Sequence, residues 1–278
     1  MKFGVNLPNY GAVVSALSLA ELAAEAEAAG WDGFFLWDHI LASKNQGLQI
    51  VDPWVALAAM AMTTESIQLG TALTPVARRR PWKLARETVT LDHLSLGRLI
   101  LGVGLGAPVK QEFEHFGEDG DRRARAEKLD EGLAILEGLW RGKPFAFKGK
   151  HYSIDKIKFQ PPALQEPRIP IWVGGFWPNP APFRRAARWD GALPLKHNRD
   201  LTPDEMGAVR DFILEHRTSK EPFDLVHIGT LSGKPTGVRK TLLAAHEAAG
   251  VTWWQEEFQK YKDDFKALKA LIRQGPPR

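Results

Sequence analysis

There is no cysteine among the 278 residues, which removes disulfides, thiolate zinc sites and cysteine nucleophiles from consideration. No stretch approaches the roughly 18 consecutive apolar residues that a membrane-spanning helix needs. An excess of one charge is also missing. With 37 basic against 33 acidic residues and a net charge of +4, nothing argues for a nucleic-acid or membrane-surface partner, although an anionic ligand is permitted. The H-E-x-x-H, G-x-S-x-G, G-x-x-x-x-G-K-[ST] and EF-hand patterns are absent, against the commonest metalloprotease, esterase, nucleotide-hydrolase and calcium chemistries. No polar low-complexity linker or internal repeat divides the chain, so residues 1–278 are expected to form one domain. The opening "MKFGVNLPNY" reaches Pro8 and Asn9 before any long apolar run, which predicts no secretory leader and a cytoplasmic location.

What the chain does contain is a balanced composition, 44% hydrophobic and 25% charged, enough to bury a sizeable core. Short apolar runs alternate with helical patterns: 2–7 with 16–30, 33–37 with 53–62, 66–73 with 81–94, and 98–104 with 122–140. The rhythm breaks over approximately 141–168, which reads as an insertion, a small hairpin by its alternation and prolines. It resumes at 169–175 with 180–189, 190–195 with 203–217, 223–231 with 237–250, and 251–258 with 260–274. Eight strand and helix pairs whose strands do not alternate predict a parallel sheet closed as a (β/α)8 TIM barrel. A doubly wound open sheet is the alternative, because strand counts from one sequence are uncertain by one or two.

In such a barrel the site lies at the C-terminal strand ends. The second strand ends "FFLWDHI", placing Asp38 and His39 at the mouth, where an imidazole can exchange protons. A local cap by Asp38 and a satisfied carbonyl at His39 account for the pair equally well. "GVGLGAP" carries Gly102, Gly104 and Gly106 but lacks the spacing of a dinucleotide turn. Gly174 and Gly175, directly ahead of a helix, form a better anion site or an ordinary tight turn. Arg78, Arg79 and Arg80 follow the third strand, either as a solvated face or as a collector for an anionic tail. Among ten tryptophans, Trp37, Trp172, Trp253 and Trp254 fall near strand ends, where a flat apolar wall suits a ring system. A metal-assisted hydrolase would draw on Asp38, His39 and His197 or His227, but no histidine pair has helical ligand spacing. A barrel that binds a flavin or lipid without turnover is another reading.

The phrases "FGVNLPNYG", "AGWDGFFLWDHI", "LGTALTPVARRRPWKLARETVTLDHLSLGRLILGVGLG", "EFEHFG", "RRARAEKLDEGLAILEGLW" and "RIPIWVGG", in that order, resemble the luciferase-like monooxygenase family. These are flavin- or deazaflavin-dependent (β/α)8 barrels that include bacterial luciferases and coenzyme F420-dependent dehydrogenases. The resemblance implies a tricyclic ring across the mouth. Asn6 and Pro8, Asp38 and His39, Leu73 and Thr74, and Gly104, Leu105 and Gly106 match positions around the ring, and Gly174, Gly175 and Phe176 match the segment that holds the cofactor phosphate. His39, beside Asp38, becomes the candidate proton-handling group, and a non-proline cis peptide is implied near Leu73 and Thr74. The segment after the seventh strand, "SGKPTG", is short where some relatives carry a long lid, which shifts weight from dioxygen chemistry toward hydride transfer. The implied function is therefore coenzyme F420-dependent hydride transfer with a small organic substrate, with an FMNH2-dependent monooxygenase as the alternative. The family habit implies a homodimer.

Overall fold

The structure is a computed structural model that describes residues 1–43 and 47–277. Strands β1 (Lys2–Leu7), β2 (Gly33–Leu36), β3 (Gln68–Thr71), β4 (Thr74–Pro75) and β5 (Leu99–Gly104) are followed by the hairpin β6 (Pro144–Lys148) and β7 (Ser153–Lys158). Strands β8 (Ile171–Phe176), β9 (Gly191–Leu195), β10 (Asp224–Gly229) and β11 (Trp253–Glu257) complete the sheet. The hydrogen-bonded order is β3-β2-β1-β11-β10-β9-β8-β5-β4. Because β3 also pairs with β5 through Leu69↔Leu99 and Gly70↔Ile100, the sheet closes into a parallel barrel and the open alternative is excluded. The third barrel strand is broken into β3 and β4, and the peptide between Ala72 and Leu73, inside the break, is cis. The antiparallel hairpin lies within the expected insertion.

The intervening helices are α1 (Ala16–Ala28), α2 (Pro53–Met62), α3 (Pro81–Leu94), α4 (Val109–Glu112), α5 (Arg122–Trp140), α6 (Pro180–Ala186), α7 (Pro203–His216), α8 (Thr236–Ala248) and α9 (Phe265–Arg273). Local chemistry sets their starts. Ser15 and Ser18 close a capping box on α1, Thr202 and Glu205 another on α7, and Asp52 caps α2 ahead of Pro53, whose missing N–H costs nothing in the first turn.

Two apolar layers result. One lies between barrel and helices; the other fills the barrel interior around Phe35, Ala72, Ile100, Trp172, Leu193, Val226 and Trp253. Three rings dominate the interior, with centroids 5.2 Å apart for Phe35–Trp172, 5.3 Å for Trp172–Trp253 and 5.6 Å for Phe35–Trp253. They fit because the facing strands omit side chains: a Cβ at Gly4, Gly33 or Gly70 would press on the Phe35 ring, and one at Gly191 on Trp172. Large and absent side chains thus interlock at core density. This corrects the expectation for the tryptophans. Trp172 and Trp253 plug the barrel below its mouth, and Trp254 points outward to pack tilted against His227 and edge-on against His246. Only Trp37 of the four stands at the mouth. Trp253→Ala, which removes one ring of this plug, is expected to cost about 3–5 kcal/mol in chemical denaturation; a loss below about 1 kcal/mol would show that the interior repacks around the gap.

Candidate active site at the barrel mouth

Asp38 and His39 follow β2 directly, and the backbone at His39 is clamped by buried Asn9. Asn9 Nδ2 donates to the carbonyls of His39 and Val51, both at 2.8 Å, while its Oδ1 accepts from His39 N at 3.1 Å. The imidazole packs edge-on against Tyr10 and tilted against Trp37. Its Nδ1 lies 2.9 Å from Glu112 Oε1, and Nε2 has no hydrogen-bond partner among the described residues. The His39 side chain is 18% exposed and that of Glu112 only 1%, so a nearly dry carboxylate grips one edge of a ring whose other edge is available.

Glu112 ends α4, in the loop after β5, and accepts further hydrogen bonds from the backbone N–H groups of Ile40, Leu41 and Ala42. Burial pushes its carboxyl pKa up, but the His39 hydrogen bond, the Arg78 charge and the Ile40 N–H outweigh that, and the net shift is downward. Arg78 pairs through Nη1 with Glu112 and through Nη2 with Asp38 Oδ1 at 2.7 Å. Arg79 Nη2 completes the cage around Asp38 at 2.9 and 2.8 Å, and Thr74 Oγ1 donates to Asp38 Oδ2 at 2.9 Å.

These contacts assign the expected site residues to different places. Asp38 stands next to His39, yet its carboxylate is fully engaged by Arg78, Arg79 and Thr74, and Thr74 is itself buried behind the mouth. Arg78 and Arg79 are neither a solvated face nor a collector for an anionic tail; the two carboxylates hold them. Leu73 lies over Gly104 and Gly174, where added Cβ atoms would meet its side chain, so these strand-end glycines make room for a leucine. The carbonyls of Leu105 and Gly106 accept from Arg125 Nη1 at 2.8 and 2.9 Å. Gly175 faces Pro182 at close range, and Phe176 stacks on His197 with 4.1 Å between centroids.

Beside the expected anion site at Gly174, Gly175 and Phe176, the start of α6 adds few N–H donors. Pro180 and Pro182 bring no N–H to the first turn of α6, and the N–H of Ala181 goes to Asn179 Oδ1. Asn6 lies inside the barrel, where its Oδ1 accepts from Trp37 Nε1 at 2.6 Å and its Nδ2 donates to Gln255 Oε1 at 2.7 Å. His227 is buried behind β10, its pKa pushed down to about 3 by burial and by His246. Among the described residues no group of three or more His, Asp or Glu side chains is placed to hold a metal ion. Sequence reasoning missed Glu112 and Asn9 as site residues. Both lay inside phrases that carried the family resemblance, but their partners are distant in the chain or backbone atoms.

A sequence model of the luciferase-like monooxygenase family matches residues 1–264. The chain is 33% identical over 204 residues to an F420-dependent glucose-6-phosphate dehydrogenase of Nakamurella multipartita, covering 69% of this chain and 57% of the relative. It is 31% identical over 167 residues to an F420-dependent hydroxymycolic acid dehydrogenase of Mycobacterium tuberculosis, covering 58% and 45%. The matched part thus spans about half the length of these curated relatives. Among solved structures, an F420-dependent secondary alcohol dehydrogenase in complex with an F420-acetone adduct superposes with a TM-score of 0.75 over 98% of this chain and 99% of that one, at 16% identity, a likeness of fold. Monooxygenase RslO1 from Streptomyces bottropensis gives a TM-score of 0.67 at 25% identity, covering 90% and 78%. With the barrel closed and the family match running over nearly the whole chain, this protein belongs to the luciferase-like monooxygenase family.

Proposed function

We propose that the protein is a coenzyme F420-dependent oxidoreductase that transfers a hydride to or from a small organic substrate, with His39 handling the proton. The observation that carries this reading is the His39 imidazole, held at the barrel mouth by buried Glu112 on Nδ1 and available on Nε2. The F420-dependent relatives support the deazaflavin, and the short connection 230–235 between β10 and α8 leaves little chain for a lid that would keep water from a dioxygen-derived species. FMN with dioxygen is the second reading, favoured by the likeness to monooxygenase RslO1.

The residues present fit the flat part of either cofactor. Leu73 spreads over Gly104 and Gly174, giving an apolar ledge between strands that contribute no side chain there. They do not fit a phosphate at the start of α6, for want of N–H donors. When bound, the ring supplies the hydride exchange. His39 Nε2 then receives the proton of a substrate hydroxyl as it becomes a carbonyl, or returns it in the opposite direction. Glu112 fixes the orientation of the imidazole and offers a negative charge to its protonated form, while Arg78 keeps that carboxylate ionised. Asp38 is a positioning residue in this scheme, pinning the strand end through Arg78 and Arg79. The reading extends to a homodimer at work in the cytoplasm. The family resemblance supports the dimer, and no helix among the described residues is long and apolar enough to cross a membrane.

Titration of the purified protein with F420 and with FMN, followed by fluorescence, is expected to show tighter binding of F420; binding of neither removes the proposal. His39→Asn should lower turnover about 10²–10⁴-fold while F420 affinity stays within a few-fold, and an equal effect on both would remove the proton-handling role. Glu112→Gln keeps the shape but leaves Arg78 with one carboxylate, for an expected loss of about 3 kcal/mol in urea denaturation at neutral pH. Because the folded-state pKa of Glu112 lies below its ordinary 4.5, its contribution is present above that pH and disappears as pH falls through the folded value. The gap between wild type and Glu112→Gln should therefore narrow in acid, and a constant gap would refute the ion-pair account.

A further inference from the structure

The wall of the mouth opposite Leu73 is polar and built from β1, β11 and the end of β2. A chain of hydrogen bonds crosses it, from Trp37 Nε1 to Asn6 Oδ1 and from Asn6 Nδ2 to Gln255 Oε1. The indole N–H only donates, so Asn6 must turn its oxygen toward Trp37 and its amide nitrogen toward Gln255. Gln255 must then answer with its own oxygen. The direction of the chain is thereby fixed, and the amide group left over is Gln255 Nε2. This atom is buried and has no hydrogen-bond partner among the described residues, on a residue with 0% exposure. A buried amide donor without an acceptor costs about 1–3 kcal/mol, a cost that a purely structural glutamine would not be expected to carry.

Position narrows the role. By the two-residue alternation of a strand, Trp253, Gln255 and Glu257 share the inner face of β11. Trp253 belongs to the aromatic plug and Glu257 is the last residue of the strand, so Gln255 sits one layer beneath the rim. The inner-face neighbours at this level, Gly4 and Asn6 on β1, Ile228 on β10 and Glu257 on β11, carry no cationic group. Burial, with the charges of Asp200 and Glu256 adding to it, raises the pKa of Glu257 toward the neutral acid. Such surroundings suit an uncharged oxygen acceptor and offer nothing to a phosphate.

We infer that Gln255 Nε2 is a ligand-binding donor for an uncharged carbonyl or hydroxyl oxygen of the complex that occupies the mouth, its orientation set by the Trp37–Asn6 relay. The inference rests on the oxidoreductase reading, and the oxygen belongs either to the pyrimidine part of the cofactor ring or to the organic molecule stacked on it.

Gln255→Met keeps the side-chain volume and removes the amide donor, leaving only a weak thioether acceptor for Asn6 Nδ2. Wild type and variant are titrated with F420 alone, and then, as F420 complexes, with cyclohexanone as a carbonyl probe. In parallel, the Gln255 side-chain amide resonances of the isotope-labelled wild type are followed by NMR, a measurement that needs no variant to fold. A ring acceptor is shown by a rise of about tenfold in the F420 dissociation constant of the variant, with the amide resonances moving on F420 addition. A substrate acceptor is shown by unchanged F420 binding, a similar rise for cyclohexanone, and resonances that move only on its addition. Dissociation constants unchanged in both arms, with stationary amide resonances, would overturn the inference and leave the oxidoreductase reading standing. Failure of the wild type to bind either F420 or FMN would bring down both.

Discussion

Arg78 stands between two carboxylates, and the working end of the barrel depends on that arrangement. Asp38 follows the second barrel strand, Glu112 ends the helix in the loop after β5, and Arg78 itself follows the broken third strand. One guanidinium therefore ties three consecutive strand ends together. Taking these charges out of water is costly and is offset only when every oxygen finds a donor. Here Arg79, Thr74 and the N–H groups of Ile40, Leu41 and Ala42 supply the remaining donors. The result is a rigid frame with a single projecting imidazole, the arrangement a proton-transfer group needs if it is to meet substrate in one geometry.

The order of strands and helices was legible in the sequence because its signals are local. Apolar runs and helical spacing marked α2, α3 and α5 at the residues where they occur. The face that each strand residue presents was not legible. Strands of a parallel barrel are buried on both sides and carry no alternation, so nothing distinguished inward Trp172 and Trp253 from outward Trp254. The charged residues were harder still. Arg78 and Arg79 look like a solvated run until carboxylates more than thirty positions away in the chain are brought beside them, and Glu112 lies in a short polar segment with no periodicity to mark it as buried.

Departures from the family expectation are informative in the same physical terms. Gly175 was expected as half of an anion cradle; its missing side chain admits Pro182, and the two prolines of α6 withhold N–H groups from the helix start. Gly104 and Gly174, expected where a ligand approaches the backbone, make room for the Leu73 side chain. The mouth consequently has two unlike walls: an apolar ledge on the side of β5 and β8, and a hydrogen-bonding wall on the side of β1 and β11. A flat ring and a polar partner could each find matching surface there without sharing residues.

The triangle of Phe35, Trp172 and Trp253 has a kinetic corollary. With the axis stoppered below the catalytic level, the barrel is a dead end, and whatever enters must depart by the same doorway. The stopper that supplies cohesion to the interior thereby also decides which end of the cylinder can open to solvent.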